Sequence, residues 1–143
     1  MKRRTSHLSR ALLVANNHQA SGICQRLADS AEMQCRAVST IEEAEAVVEH
    51  KPPHVVVLDY SLCGAAGIET LQMFHEVLAA RKIPLILITP PVSDWELEQF
   101  EDIGVYASLS NPFRMSELAQ LVKEASKRKK DHRSSSGELR ALR

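Results

Sequence analysis

The stretch HVVVLDYSLCGAAG, residues 54–67, decides the fold because a continuously apolar run leads directly into a carboxylate and a glycine-bearing turn. Strands that are apolar without alternation are buried on both faces, as in a parallel sheet covered by helices. A carboxylate at the end of such a strand is costly to desolvate unless it is paired or used in chemistry. The stretch therefore predicts a buried parallel strand that ends at Asp59, at an edge of the sheet.

A strand-like run followed by a helix-like run occurs five times along the chain. Apolar or alternating runs predict strands at 11–15, 33–39, 54–59, 83–89 and 105–110. Thr40 and Glu43 have the spacing of a capping box at the start of the second helix. Ser93 and Glu96 have the same spacing before the fourth helix, and Gly104 is a stop signal at its end. Five such units predict an α/β domain with a doubly wound, flavodoxin-like (βα)5 fold, whose parallel five-stranded sheet has the order 2-1-3-4-5.

The length and composition predict a single soluble domain. A chain of 143 residues with 44% hydrophobic content suits one core, and only 4% aromatic residues make that core mainly aliphatic. Leu118, Leu121 and Val122 are expected to be buried beneath the last helix. No apolar run approaches the roughly 20 residues of a membrane span, and the basic opening MKRRTSHLSR is followed by no small-residue cleavage site. We therefore expect a cytoplasmic protein without a membrane partner.

The charges are separated between the ends of the chain and its middle. Residues 1–10 and 127–143 together hold eleven of the eighteen Lys and Arg residues and two acidic residues, so the remaining body has seven basic and sixteen acidic residues. The predicted organisation is a basic N-terminal tail at 1–8, a domain at 9–127, and a basic, Ser-rich tail or linker at 128–143. Such tails are either solvated ends or interaction arms for nucleic acid.

Three cysteines, Cys24, Cys35 and Cys63, lack metal-ligand spacing. An odd number cannot all pair within the chain, which favours reduced thiols over a disulfide scaffold. Cys24 and Cys35 are interpreted as core residues. Cys63, in the turn after the third strand, is expected to be a partly exposed thiol without a nearby cation to activate it.

Polar residues collect where the predicted strands end. Asp59 ends the third strand, Thr89 ends the fourth, Asn16 follows the first and Asn111 follows the fifth. Ligands of open α/β sheets bind at the carboxyl ends of the strands, near the point where strand order reverses. The sequence therefore predicts one polar site at this edge.

Four segments carry a resemblance to a known family: LLVANN, VVVLDYSLCGAAG, PLILIT and GVYASLSNPF. Thr89 lies 30 positions after Asp59, and Asn111 lies 52 positions after it. In this order and register the chain resembles the CheY-like receiver domain of bacterial response regulators, over about residues 9–127. The resemblance implies that Asp59 is the position that accepts a phosphoryl group from a histidine kinase, in a two-component phosphorelay.

The resemblance also implies helper groups that this sequence lacks. Members of the family hold Mg²⁺ with the acceptor and an acidic pair after the first strand, where this chain has Ala15 and Asn16. A lysine that binds the phosphoryl group is replaced by Asn111. The residue after Thr89 normally donates a backbone N–H, but here it is Pro90, which has none.

These replacements predict a degenerate phosphorylation site. Asn16, Asp59 and Ser61 mark a magnesium position that we expect to be empty, so no cofactor is expected. Asp59, with Thr89 and Asn111 beside it, is interpreted as a retained hydrogen-bond acceptor that receives a bond from Asn16 or Asn111.

The resulting hypothesis is a pseudo-receiver that is not an enzyme and binds a signalling protein, such as a histidine kinase or a downstream effector. The resemblance places the partner face on the fourth helix, fifth strand and fifth helix. Trp95, at the start of the fourth helix, is either a packing residue or an anchor of that face. Ser108 occupies the position where the family has a switch aromatic residue in the fifth strand. Tyr106 lies two residues earlier and is therefore expected on the same strand face. One alternative is a working receiver with Mg²⁺-dependent phosphorylation of Asp59. Another is a nucleic-acid adapter that uses the basic tails, and a homodimer also stays open.

Overall fold

The computed structural model of the chain describes residues 8–131. The elements alternate as predicted, and a 3₁₀ segment, Tyr60–Ala66, follows the third strand. The strands are β1 (Arg10–Val14), β2 (Gln34–Val38), β3 (Val55–Asp59), β4 (Leu85–Thr89) and β5 (Ala107–Ser110). The helices are α1 (Asn17–Ala31), α2 (Ile41–His50), α3 (Ile68–Ala79), α4 (Asp94–Ile103) and α5 (Met115–Asp131).

The five strands form one parallel sheet in the order β2-β1-β3-β4-β5, which confirms the predicted fold class and strand order. In the register of the sheet, Val14 lies opposite Leu58. Thr89 lies opposite Ser110. The carboxyl ends of the strands therefore meet at one edge.

Alternate side chains of the strands build two cores on opposite faces of the sheet. The first core joins Leu13, Val57 and Ile86 to residues of α1 and α5, including Leu27 and Val122. The second core joins Leu12, Val56 and Leu87 to residues of α2, α3 and α4, including Val48, Phe74 and Phe100. Leu118, Leu121 and Val122 are buried, as predicted. The strands β1, β3 and β4 are buried on both faces, which is why their sequences are continuously apolar.

The helix ends follow the local signals in the sequence. Ser93 caps α4 through a full capping box with Glu96, and Gly104 ends the helix in a left-handed conformation with φ of 109°. Thr40 caps α2 by accepting from the backbone N–H of Glu43. In the predicted capping box, Glu43 would accept from the N–H of Thr40. In the structure, Glu43 Oε1 accepts from the N–H of Ser39, one residue earlier.

The structure corrects the prediction for two cysteines. Cys24 on α1 and Cys35 on β2 form a disulfide, with their Cα atoms 5.4 Å apart. The prediction of reduced thiols was wrong because pairing depends on the packing of α1 against β2, which cysteine spacing does not reveal. Both residues are half-buried against the first core, so the packing part of the interpretation is confirmed.

The last helix extends beyond the predicted end of the domain. Helix α5 continues to Asp131, four residues beyond the predicted limit at residue 127. The predicted tails at 1–8 and 128–143 lie outside the described residues, apart from residue 8 and the segment 128–131. Within residues 8–131, the model contains no helix that is both long enough and apolar enough to span a membrane.

Candidate functional site

Asp59 lies at the carboxyl end of β3 and is half-buried. Its Oδ1 atom accepts from the backbone N–H of Ser61 at 3.0 Å and from the Ser61 hydroxyl at 2.8 Å. Asp59 thereby caps the 3₁₀ segment, as short polar side chains do when they bond to backbone two residues ahead. The carboxylate is therefore held by its own loop. The sequence signal for this contact is an Asp followed two positions later by a Ser.

Asn16 has a local role at the start of α1. Its Oδ1 atom accepts from the backbone N–H of His18 at 3.0 Å and from that of Gln19 at 3.4 Å. Asn16 is thus the N-cap of α1, a position that Asn favours. In the described part of the chain, neither Asn16 nor Asn111 donates to Asp59, whose side-chain bonds come from Ser61. The predicted bond is wrong: the Asn16 side chain caps α1, and the Asn111 side chain is exposed.

Thr89 and Asn111 stand at the ends of the next two strands. Thr89 is buried, and its carbonyl accepts from the N–H of Asn111 at 2.7 Å. Asn111 and Pro90 are exposed. The structure therefore brings Asp59, Thr89 and Asn111 to the same edge of three adjacent strands, as predicted.

Ala15 occupies the position level with Asp59 on the neighbouring strand, one residue beyond the Val14–Leu58 pair. Its methyl group is buried in the first core, and its N–H donates to the carbonyl of Val38 at 3.0 Å. An apolar methyl group offers no ligand or charge to this edge. Because the position is buried, a carboxylate here would lose its hydration and would need a partner to compensate.

Mg²⁺ is the ion that the fold family implies, and these residues do not fit it. Mg²⁺ requires oxygen ligands in near-ideal octahedral geometry and dehydrates reluctantly, so its protein sites rely on carboxylates. Among residues 8–131, there is no group of three or more His, Cys, Asp or Glu residues that could hold a metal ion. Asp59 supplies one carboxylate, and both the Asp59 and Asn16 Oδ1 atoms already accept hydrogen bonds.

Behind Asp59, the 3₁₀ segment packs onto α4. The ring of Tyr60 lies edge-on to Phe100, with centroids 5.1 Å apart. The Tyr60 hydroxyl leaves no room for a side chain at Gly67, where a Cβ atom would lie 2.8 Å from the oxygen. Burial, and then the nearby Glu96 and Cys63, raise the pKa of Tyr60. This aromatic contact was not predicted, because residues 60 and 100 are far apart in the sequence.

Cys63 is buried rather than partly exposed, which corrects the sequence prediction. It lies in the second core, 4% exposed. Burial, and to a smaller extent the Asp59 carboxylate, raise the pKa of the Cys63 thiol to about 11. A thiol in this environment remains protonated near neutral pH and is a poor nucleophile.

The three residues assigned to a partner face have different environments. Trp95 on α4 is 59% exposed, which suits a contact residue. Ser108 is buried, 4% exposed, so its side chain is covered by the protein itself and its assignment to the face stays a prediction. Tyr106 is half-buried against the first core, and its hydroxyl donates to Glu124 Oε1 of α5 at 3.4 Å.

Tyr106 and Ser108 do not share a strand face, because Tyr106 precedes β5 and strand alternation does not extend to it. Val105 belongs to the second core and Ala107 to the first, so the alternation is broken between them. Met73 on α3 is a further exposed apolar side chain, 67% exposed, that the sequence analysis did not single out.

The fold and the strand-end site define a doubly wound α/β domain with an aspartate at the end of β3. The family model of the response regulator receiver domain matches residues 11–123. The chain therefore belongs to the response regulator receiver domain family of two-component signalling.

Relatives and solved structures agree with this assignment. The chain is 25% identical over 100 residues to the phosphate regulon transcriptional regulatory protein PhoB of Pseudomonas aeruginosa, a match that covers 70% of this chain and 44% of PhoB. The chain therefore matches less than half the length of this curated relative.

Two solved structures show the same fold. A CheY-like receiver domain protein from Methanospirillum hungatei superposes with a TM-score of 0.73 at 18% identity, covering 87% of this chain and 98% of that one. The receiver domain of a modulated diguanylate cyclase from Desulfovibrio desulfuricans gives a TM-score of 0.69 at 24% identity, with the same coverage. At these identities the likeness concerns the fold alone.

Proposed function

We propose that this chain is an atypical receiver that acts as a protein–protein interaction module, with weak or no phosphorylation of Asp59. The observation that carries the proposal is the isolation of the Asp59 carboxylate. Its level neighbour, one residue beyond β1, is the buried methyl group of Ala15, and its side-chain bonds come from Ser61 of its own loop.

The chemistry of phosphoryl transfer supports this proposal. Enzymes and receivers accelerate it almost entirely by positioning and by stabilising charge with metal ions and cationic side chains. The edge at Asp59 has a neutral, exposed Asn111 at the position of the lysine, and Pro90 has no N–H to donate. Hydrogen bonds to charged groups contribute about 1.5–3 kcal/mol each, so losing several slows the reaction by orders of magnitude.

The proposed partner is a signalling protein, a histidine kinase or a downstream effector, that contacts the face around α4. Trp95 is the candidate anchor of this face because it is a large aromatic side chain, 59% exposed on α4, and aromatic residues are enriched among the residues that dominate binding energy at interfaces. The proposal retains the cytoplasmic location expected from the sequence. A homodimer and a nucleic-acid partner of the basic tails remain as alternatives outside this proposal.

One alternative function is a working receiver, in which a histidine kinase phosphorylates Asp59 in a Mg²⁺-dependent reaction. The observation that favours it is that Asp59 is only half-buried at the carboxyl edge, with Thr89 at the adjacent strand end. A phosphodonor could therefore reach the carboxylate.

Incubation of the full chain with a small-molecule acyl phosphate and millimolar Mg²⁺, followed by intact-mass analysis, separates the two functions. We expect no substantial phosphoryl adduct on the natural sequence. The double variant Asn16→Asp/Asn111→Lys restores a carboxylate and a cation at two exposed positions, and Asp retains the capping ability of residue 16.

We expect this double variant to gain a Mg²⁺-dependent adduct that Asp59→Asn removes. A substantial adduct on the natural sequence that is abolished by Asp59→Asn would establish the working receiver instead.

A further inference from the structure

The Cys24–Cys35 disulfide joins a helix to the edge of the sheet. Cys24 lies on α1 and Cys35 lies on β2, separated by eleven positions in the sequence. Both residues are half-buried and pack at the margin of the first core, so neither is fully enclosed. The bond thus connects two elements through residues that keep part of their surface in contact with solvent.

The strand β2 has no fully buried side chain. It is an outer strand of the sheet, pairs with β1 alone along its five residues, and packs against α1. Three of its five residues are exposed, and the remaining two, Cys35 and Val38, are half-buried. A strand without a fully buried side chain gains little from the hydrophobic effect, so the disulfide adds a covalent link to the backbone pairing and to the packing against α1.

The opposite side of β2 forms an open groove with α2. The groove has a volume of about 470 Å³ and is lined by Arg36, Ala37, Val38, Ser39, Glu43, Ala46, Val47 and His50. Because Cys35 packs against the first core and Val38 against the second, the disulfide and the groove lie on different faces of the same strand. Movement of β2 would therefore change the shape of the groove.

We propose that Cys24 and Cys35 form a reversible redox site, which thiol reductants open and disulfide oxidants close, and which controls the order of the β2 edge. In the opening reaction, a reductant thiolate attacks one sulfur atom and forms a mixed disulfide, while the Cys24–Cys35 bond breaks and the other cysteine leaves as a thiolate. A second thiol, from the same dithiol or from a second glutathione molecule, then displaces the remaining cysteine. Two electrons pass to the protein, Cys24 and Cys35 become thiols, and the reductant becomes a disulfide.

The cytoplasmic location, on which this step rests and which is part of the proposed function, favours a switch over a permanent bond. Disulfides in a reducing cytoplasm are usually transient, and they are catalytic or redox-sensing when they occur. The site shares no residue with the strand-end site at Asp59, so the inference is independent of phosphorylation. Cys63 takes no part, because it is buried in the second core, on the other side of the sheet.

Thiol trapping tests the chemical step. The full chain is equilibrated in buffers with different ratios of reduced to oxidised glutathione, alkylated without denaturant, and analysed by peptide mass spectrometry. We expect Cys24 and Cys35 to change together from unlabelled to labelled as the buffer becomes more reducing, while Cys63 remains unlabelled. The Cys63→Ala variant should show the same transition. If Cys24 and Cys35 stay labelled under all oxidising conditions, the proposal fails.

Hydrogen exchange tests the structural consequence. We expect the amides of β2 to exchange roughly tenfold faster or more in the reduced protein than in the oxidised protein, because the cross-link no longer restrains the strand. The amides of β4 should be unchanged. Cys24→Ser and Cys35→Ser, each measured with and without reductant, should match the reduced protein in both states.

Equal exchange of β2 in the oxidised and reduced protein would overturn the proposal, because the bond would then have no effect on the edge. Faster exchange of β4 as well as β2 would also overturn it, because the disulfide would then support the whole fold and would not act as a local switch.

Discussion

The Asp59 side chain is stabilised by donors from its own loop. Ser61 supplies a backbone N–H and a hydroxyl to one carboxylate oxygen, at 3.0 and 2.8 Å. Charge-assisted bonds of this kind are the stronger hydrogen bonds of proteins, so they stabilise the charge of the half-buried carboxylate. In the proposed atypical receiver, Asp59 serves as the cap of this turn.

The thiol of Cys63 leads to a prediction about pH dependence. Burial raises its pKa from 9.0 to about 11, so the folded state retains a proton that the unfolded state releases earlier. The resulting stabilisation is complete below pH 9 and is lost as the pH rises from 9 toward 11. We expect urea denaturation to show a falling free energy of unfolding in this range.

The Cys63→Ala variant is the control for this titration. Tyr60, whose pKa is also raised from its usual 10.0, contributes a decrease of the same sign to both proteins. We therefore expect the free energy of the natural sequence to fall more steeply than that of Cys63→Ala. Parallel pH profiles for the two proteins would show that Cys63 ionises as readily in the folded state as in the unfolded state.

At the scale of the element, the helix ends and the buried strands could be predicted from local sequence. Contacts between elements could not. The Ser93–Glu96 box and the stop at Gly104 were predicted because capping bonds span only a few residues. The Cys24–Cys35 bond depends on how α1 lies against β2, which no spacing encodes.

The candidate site also has one feature that was predictable from the sequence and one that was not. The meeting of Asp59, Thr89 and Asn111 was predictable because strand ends of a parallel sheet share an edge. The burial of Ser108 was not, since it depends on how β5 enters the sheet after the break between Val105 and Ala107.

Two glycines provide a matched test of helix energetics. Gly22 lies within α1, is exposed, and has open space where a Cβ atom would stand. Gly104 ends α4 with φ of 109°, and a Cβ atom there would lie 3.2 Å from His75 Cε1. We expect Gly22→Ala to raise the free energy of unfolding by about 0.5–1 kcal/mol, because Ala loses less backbone entropy in a helix.

We expect Gly104→Ala to lower the free energy of unfolding by about 1–2 kcal/mol, since a residue with a Cβ atom disfavours the left-handed conformation. Urea denaturation of both variants checks these values. A stabilising effect at residue 104 would contradict the capping role of Gly104.

At the scale of the whole molecule, the exposed apolar side chains indicate where a partner can bind. Within the described residues, Met73 and Trp95 are the large hydrophobic side chains that are exposed, at 67% and 59%. They lie on adjacent helices of the same face of the sheet, α3 and α4. Single exposed apolar residues are common, so exposure alone does not distinguish an anchor from an ordinary surface residue.

The pair Trp95→Ala and Met73→Ala makes this distinction measurable. Neither substitution removes a buried contact of the core, so we expect each to change the free energy of unfolding by no more than about 0.5 kcal/mol. Truncation of a central aromatic residue typically costs about 2 kcal/mol or more of binding free energy, which corresponds to at least roughly a thirtyfold loss of affinity. The measurement is quantitative affinity capture from the source cell, with the natural sequence and both variants as bait. We expect a signalling partner to be retained by the natural sequence and by Met73→Ala and lost by Trp95→Ala; equal retention by all three baits would place the partner face away from Trp95.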